Sequence, residues 1–212
     1  MARSARDAFY TRYYAAVATS RANAAYCQRL YGLNLCQHGF AEVAHLDQMI
    51  GICSLNPQNR LLDLGCGNGL IAEYISDRSG AHVTGIDFIP EAIQQIIHLL
   101  KPGSQICAFY SHGPDPSAPN DSFSEDSRPA DKTPLGIALQ RQGLSIHTWD
   151  YSRDDYEHAL LKFAIAEELK SEFEKEANLF LYENHIAEAK GVAAAFEKGL
   201  HARYLYFAKG SQ

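Results

Sequence analysis

The chain has 212 residues, 46% of them hydrophobic and 21% charged, with a formal net charge of −6. That is enough apolar material for one globular unit with some decoration, and the acidic balance leaves no basic field to gather phosphates, which argues against a nucleic-acid partner. Cys27, Cys36, Cys53, Cys66 and Cys107 form no CxxC pair and no ligand-like spacing with histidine, so reduced thiols and no metal site are expected. No apolar run reaches membrane-spanning length and the N-terminus lacks the apolar stretch of a secretory signal, so the expectation is no membrane partner and a cytoplasmic location.

Residues Ala5 to Tyr31 carry Phe9, Tyr13, Ala16 and Val17 at helical spacing, and Phe40, Val43, Leu46, Met49 and Ile50 repeat the pattern before Asn56-Pro57. This predicts an N-terminal helical cap over residues 1–58. At Arg60 the texture changes. Leu61-Leu62-Asp63-Leu64 is a short apolar run into Gly65-Cys66-Gly67-Asn68-Gly69, Ile71, Tyr74 and Ile75 give a helical face, and His82 to Asp87 supplies a second strand. The pattern is strand, glycine turn, helix, strand, a βαβ unit with a parallel pair.

Pro90 to Leu100 reads as a helix and Ser104 to Ser111 as a buried strand. The Pro-, Ser- and Asp-rich stretch after His112, to about residue 134, reads as a loop. Leu135 to Gln142 predicts a short helix stopped by Gly143, Leu144 to Tyr151 a strand, Arg153 to Lys198 a helical region with Gly191 as its one breaker, and Ala202 to Ala208 the last strand. The charged residues between Asp154 and Lys190 read as the solvated face of amphipathic helices, with a homodimer face as the alternative.

A G-x-G-x-G turn after a parallel strand lets backbone approach a ligand closely, and an acidic residue ending the next strand is placed to accept hydrogen bonds from ribose hydroxyls. Leu61 to Gly69 followed by Gly85-Ile86-Asp87 resembles the first two motifs of the class I S-adenosylmethionine-dependent methyltransferases. A dinucleotide site would need G-x-G-x-x-G, whereas Leu stands at position 70 and the third glycine comes one residue early. Leu99-Leu100-Lys101-Pro102-Gly103 resembles the element before that family's fifth strand, and Arg203 to Phe207 its antiparallel seventh.

The resemblance implies an α/β, Rossmann-like fold with a shortened, mostly parallel sheet over residues 59–212, a helical insertion at about 153–198 and the helical cap in front, together one globular unit. It implies S-adenosylmethionine as cofactor, S-adenosylhomocysteine as product, a small-molecule acceptor, and cofactor contacts from Asp63, Gly65, Cys66, Gly67, Asn68, Asp87 and Phe88. The chain departs from the family between Asp87 and Leu99, where only Phe88 to His98 replaces two strand-and-helix units. One such unit alone needs about 30 residues, so this is an apparent internal deletion or a divergent minimal version of the fold. The strand at Ser104 to Ser111 is therefore expected to pair beside the first strand, and the alternative to turnover is a non-catalytic cofactor-binding or scaffold protein.

Methyl transfer needs mainly positioning, so a dedicated base is optional. His112, past the end of a strand, is the candidate general base, with a solvated loop histidine as the other reading. His38 and Tyr14 are candidate substrate residues. His38 can equally be structural, and for Tyr10, Tyr13 and Tyr14 packing in the core is the leading reading. Cys66 reads as a small buried residue rather than a nucleophile.

Overall fold

The structure, a computed structural model, describes residues 5–37, 42–86, 105–114 and 123–210. The helix expected over Pro90 to Leu100 lies outside them. The chain groups into two compact units, one of residues 1–90 with 161–189 and one of residues 91–160 with 190–212. This grouping differs from a cap of 1–58 and a domain of 59–212.

In the first unit, α1 (Ala5–Val17) and α2 (Arg21–Tyr31) lead to α3 (Val43–Ile52), β1 (Arg60–Leu64), α4 (Leu70–Ser79) and β2 (His82–Ile86). Helix α2 begins at Ser20, whose Oγ accepts from the Asn23 amide at 3.0 Å. The carboxylate of Glu176 accepts from the Arg21 and Ala22 amides, each at 3.0 Å, and from Ser20 Oγ at 2.6 Å. The otherwise orphaned N–H groups of the first turn are thus satisfied. Gly32, in the left-handed conformation, ends the helix.

The apolar faces of α1 and α2 bury Tyr13, Val17, Tyr26, Leu30 and Tyr31 against Ile165, Ala166, Phe173 and Leu181. The cap therefore takes its core from the far end of the sequence, which explains the grouping of units. Two buried polar groups find partners there: His185 bonds Asn23 Oδ1 at 2.9 Å and stacks on Tyr26 at 3.9 Å, and Lys162 pairs with Glu188 at 2.9 Å. Strands β1 and β2 are parallel, with Arg60 opposite His82 and Leu64 opposite Ile86, as the βαβ pattern predicts.

The second unit holds β3 (Gln105–His112), α5 (Pro134–Arg141), β4 (Ser145–Asp150) and β5 (Ala202–Lys209). The sheet order is β3-β5-β4, and β5 is antiparallel to both neighbours. The pairing expected between β3 and β1 is not among the described ladders: Gln105 to His112 pair along their whole length with Lys209 to Ala202. The physical reason is the alternation of side chains. In this register Ile106, Ala108 and Tyr110 share one face with Tyr204, Tyr206 and Ala208, and Leu135 and Leu139 of α5 cover it.

The region 153–198 is helical as expected, but its breaks differ. It forms α6 (Ser152–Glu168), α7 (Lys170–Lys175) and α8 (Leu179–Glu197). Gly191 lies inside α8, and the break at 176–178 falls on Ala177, a non-glycine residue with φ of 54°. Helical periodicity alone does not register that turn.

Candidate functional site

Strand β1 delivers the chain into Gly65, Gly67 and Gly69, with φ of 79°, 55° and 84°. All three lie in the left-handed region that side chains disfavour. The Gly69 amide donates to the Cys66 carbonyl at 2.9 Å, and Gly69 then caps α4. A helix N-terminus with its positive dipole end thus opens off the turn.

Two glycines are closely approached by side chains. A Cβ on Gly67 would stand 2.3 Å from the Tyr14 hydroxyl oxygen, and one on Gly85 would stand 2.7 Å from Cys66 Sγ. Gly65 and Gly69 open on free space, where a Cβ would meet nothing within 4 Å. The turn therefore presents bare backbone on one side and receives Tyr14 on the other. The cradle suits a ligand that touches main chain.

Asp63 is half-buried on β1, opposite Gly85. Cys66 is half-buried against Gly85, consistent with a small packing residue. Asn68 is exposed, and its side chain hydrogen-bonds the Cys36 thiol, whose pKa burial nevertheless raises. Tyr14 is half-buried, stacked against Tyr10 with ring centroids 6.1 Å apart. The structure thus brings Tyr14 onto the glycine turn, while Asp87, Phe88 and His38 lie outside the described residues.

His112 belongs to the second unit. It is the last residue of β3 and is 5% exposed, which corrects the expectation of a residue past the strand end. Its Nε2 lies 2.7 Å from Ser127 Oγ. Ser127 spends its one proton on the Ser124 carbonyl at 2.7 Å, so the hydrogen-bond network makes His112 Nε2–H the donor. The ring lies parallel to Tyr110 and 5.1 Å from Phe123.

Sequence reasoning missed a second polar cluster in this unit. His201 and Asp155 are both buried and 2.7 Å apart, and Arg203 Nη1 lies 3.9 Å from the same carboxylate oxygen. Asp155 had been read with the solvated charges of the helical region. A signal was present: Asp155, His158, Ala159, Lys162, Ile165 and Ala166 recur at helical spacing and form the buried stripe of α6. A separate cavity of about 220 Å³, lined by Ser145, His147, Phe207 and Lys209, lies at the opposite end of this sheet from His112.

Residues 61–123 match the family described as "Methyltransferase domain". The structure aligns with mycolic acid cyclopropane synthase CmaA1, complexed with S-adenosylhomocysteine and CTAB, at a TM-score of 0.64, covering 92% of this chain and 98% of that one at 13% identity. The fold is that of a class I methyltransferase. The same class I fold appears in phosphoethanolamine N-methyltransferase 2 of Haemonchus contortus, with a TM-score of 0.58, 14% identity, and coverage of 94% of this chain and 60% of that one.

In sequence, 48 residues of the chain are 50% identical to a ubiquinone biosynthesis O-methyltransferase of Xylella fastidiosa strain M23. That match takes in 22% of this chain and 19% of the relative. The enzyme of the same name from Idiomarina loihiensis is 36% identical over 78 residues, which are 36% of this chain and 28% of the relative. The chain thus matches a minor part of these relatives' length.

Proposed function

We propose that this chain transfers a methyl group from S-adenosylmethionine to a small-molecule acceptor. The observation that carries the reading is the glycine turn between β1 and α4, a bare-backbone cradle at a helix N-terminus with Tyr14 over Gly67. Gly65, Cys66, Gly67 and Asn68 line the turn and Asp63 stands at its base, where they would hold the methionine end. Asp87 and Phe88 would hold the ribose and adenine. When bound, the cofactor supplies a methyl group activated on a sulfonium, and the chain's task is to orient it and exclude water. The methyltransferase-domain match and the O-methyltransferase names of the sequence relatives support a hydroxyl-bearing acceptor.

On the acceptor side, Tyr14 and His38 are the candidate substrate residues, and His112 is the candidate general base. The −6 net charge and five free thiols support a cytoplasmic enzyme without a nucleic-acid partner. Among the described residues no helix is long and apolar enough to cross a membrane. A homodimer is the oligomeric state to test.

Calorimetric titration with S-adenosylhomocysteine is the test, with Asp87→Ala alongside. Binding to the intact chain that weakens tenfold or more in the variant, about 1.4 kcal/mol, supports the reading and leads to a labelled-methyl screen of acceptors. No heat and no thermal shift for the intact chain would sink it and leave a non-catalytic scaffold, the alternative that the short stretch from Phe88 to His98 favours.

A further inference from the structure

We propose that the cavity at the starting edge of the β3-β5-β4 sheet binds a small aromatic monocarboxylate, at a site that lies wholly within the second unit and does not depend on the methyl-transfer reading. Open α/β sheets place their chemistry beyond the carboxyl ends of their parallel strands. Here β3 and β4 run in the same direction, both antiparallel to β5. The cavity of about 220 Å³ lies where β4 begins, at Ser145, and away from the ends of the two strands at His112 and Asp150. Its position sets it apart from the edge where such sheets carry catalysis.

Strand register builds the site. Ser145 stands opposite Lys209 and His147 opposite Phe207. Side chains alternate along a strand, so these four share one face as two directly opposed pairs. Opposed side chains have Cβ atoms about 4.5–5.5 Å apart, close enough for all four to reach one small ligand. Ile146 and Ala208 occupy the other face, in the cluster that Leu135 and Leu139 of α5 cover. Gly210 completes the lining with bare backbone.

The chemistry of the lining selects the ligand. Among the described residues, no hydrogen bond or ion pair engages the Ser145 hydroxyl, the His147 ring nitrogens or the Lys209 ammonium, and no acidic side chain lines the cavity. Three groups able to donate, with no carboxylate among them, favour an anion. One permanent cation suits a single negative charge, whereas a phosphate is ordinarily held by a bidentate arginine or by several donors. Phe207 is half-buried and supplies an apolar wall, and Trp149, next along the same face, meets His147 edge-on with ring centroids 4.5 Å apart. These rings favour a flat apolar body. Pockets for drug-sized ligands run to about 300–1,000 Å³, so this smaller cavity suits one ring and its carboxylate.

The order of the two pairs fixes the ligand's direction. The carboxylate meets Lys209 Nζ and Ser145 Oγ, which face each other across the strands, and the ring lies along Phe207 and His147, the next pair in register. The charged end is thus toward Gly210 and the ring toward Trp149. An uncharged amide of the same shape loses the charge-assisted contact with Lys209 and keeps the rest.

Trp149 is the one tryptophan of the chain, so its fluorescence reports on this face of the sheet. The probe is benzoate, titrated into the full-length chain and followed by Trp149 fluorescence and by calorimetry. The expected result is a saturable change whose dissociation constant rises tenfold or more for benzamide, which keeps the shape and removes the charge. It should rise tenfold or more again in Lys209→Met, which keeps the apolar stem. Ser145→Ala should weaken binding threefold or more, and because Ser145 is exposed this variant decides the matter if Lys209→Met fails to fold. Lys132→Met, at an exposed lysine of the 130–132 turn, should change nothing. No saturation up to about 10 mM benzoate, ten times the half-filling concentration of a site with a Kd of about 1 mM, would overturn the inference. So would an unchanged constant in both cavity variants, an equal loss in Lys132→Met, or heat without a change at Trp149. Inorganic phosphate that binds more tightly than benzoate and displaces it would overturn the carboxylate class. S-adenosylhomocysteine binding, measured on the same preparations, bears on the methyl-transfer reading alone.

Discussion

The Tyr14 hydroxyl stands in the space that a Cβ on Gly67 would take, 2.3 Å from the oxygen and 2.8 Å from Cζ. A residue of the first helix and a residue of the glycine turn are thus fitted to one another. Gly67→Ala is expected to lower S-adenosylhomocysteine affinity tenfold or more, about 1.4 kcal/mol. Adding Tyr14→Ala should recover the steric part, because a tyrosine end can move. The part due to φ of 55° stays, on the order of 1 kcal/mol. A double-mutant cycle by calorimetry measures the coupling, and strictly additive losses would show that the two residues do not communicate.

Gly136 is constrained by main chain rather than by a side chain. A Cβ there would lie 2.0 Å from the Ala130 carbonyl oxygen, which is itself held by the Thr133 hydroxyl at 3.1 Å and the Tyr206 hydroxyl at 2.8 Å. Gly136→Ala should cost about 2–3 kcal/mol and lower the melting temperature by roughly 4–12 °C. An unchanged melt would mean that the 130–133 turn relaxes freely.

Glu176 holds the first turn of α2 through three hydrogen bonds. Removing them in Glu176→Ala leaves those donors unsatisfied and should cost about 1–3 kcal/mol. Glu176→Gln keeps one acceptor oxygen and should lose less. Amide hydrogen exchange localises the effect, which should appear at residues 21–24 and not in β3–β5.

Asp47 gives a surface pH dependence. Arg78 donates to its two oxygens at 3.2 Å each and Tyr74 donates at 2.9 Å, and these bonds hold the carboxyl below its usual range. Because the folded pKa is the lower one, the stabilisation is present above the unfolded value near 3.9 and is lost as pH falls through the folded pKa. Both groups are exposed, so the effect is small. Arg78→Ala should lower the melt at neutral pH and match the parent at about pH 2, and an equal deficit at both would assign the loss to packing instead.

Local signals carried the elements well. The β1 run, the three glycines and β2 were legible because a parallel strand feeding a bare-backbone turn has a short, contiguous sequence signature. Gly143 ended α5 and Thr133 with Pro134 began it for equally local reasons. Asp155 was misread because a charge on a helix looks solvated until its partners are known, and those partners, His201 and Arg203, come 46 and 48 positions later.

By itself the sequence determined the glycine turn and the parallel β1–β2 pair. These depend on backbone conformation within a few residues. Only the tertiary structure decided that β3 pairs with β5, that the cap takes its core from Ile165, Ala166, Phe173 and Leu181, and that Tyr14 meets Gly67. Strand partners and core partners are set by which apolar faces can cover each other across the whole chain, and a one-dimensional pattern states each face without stating what covers it.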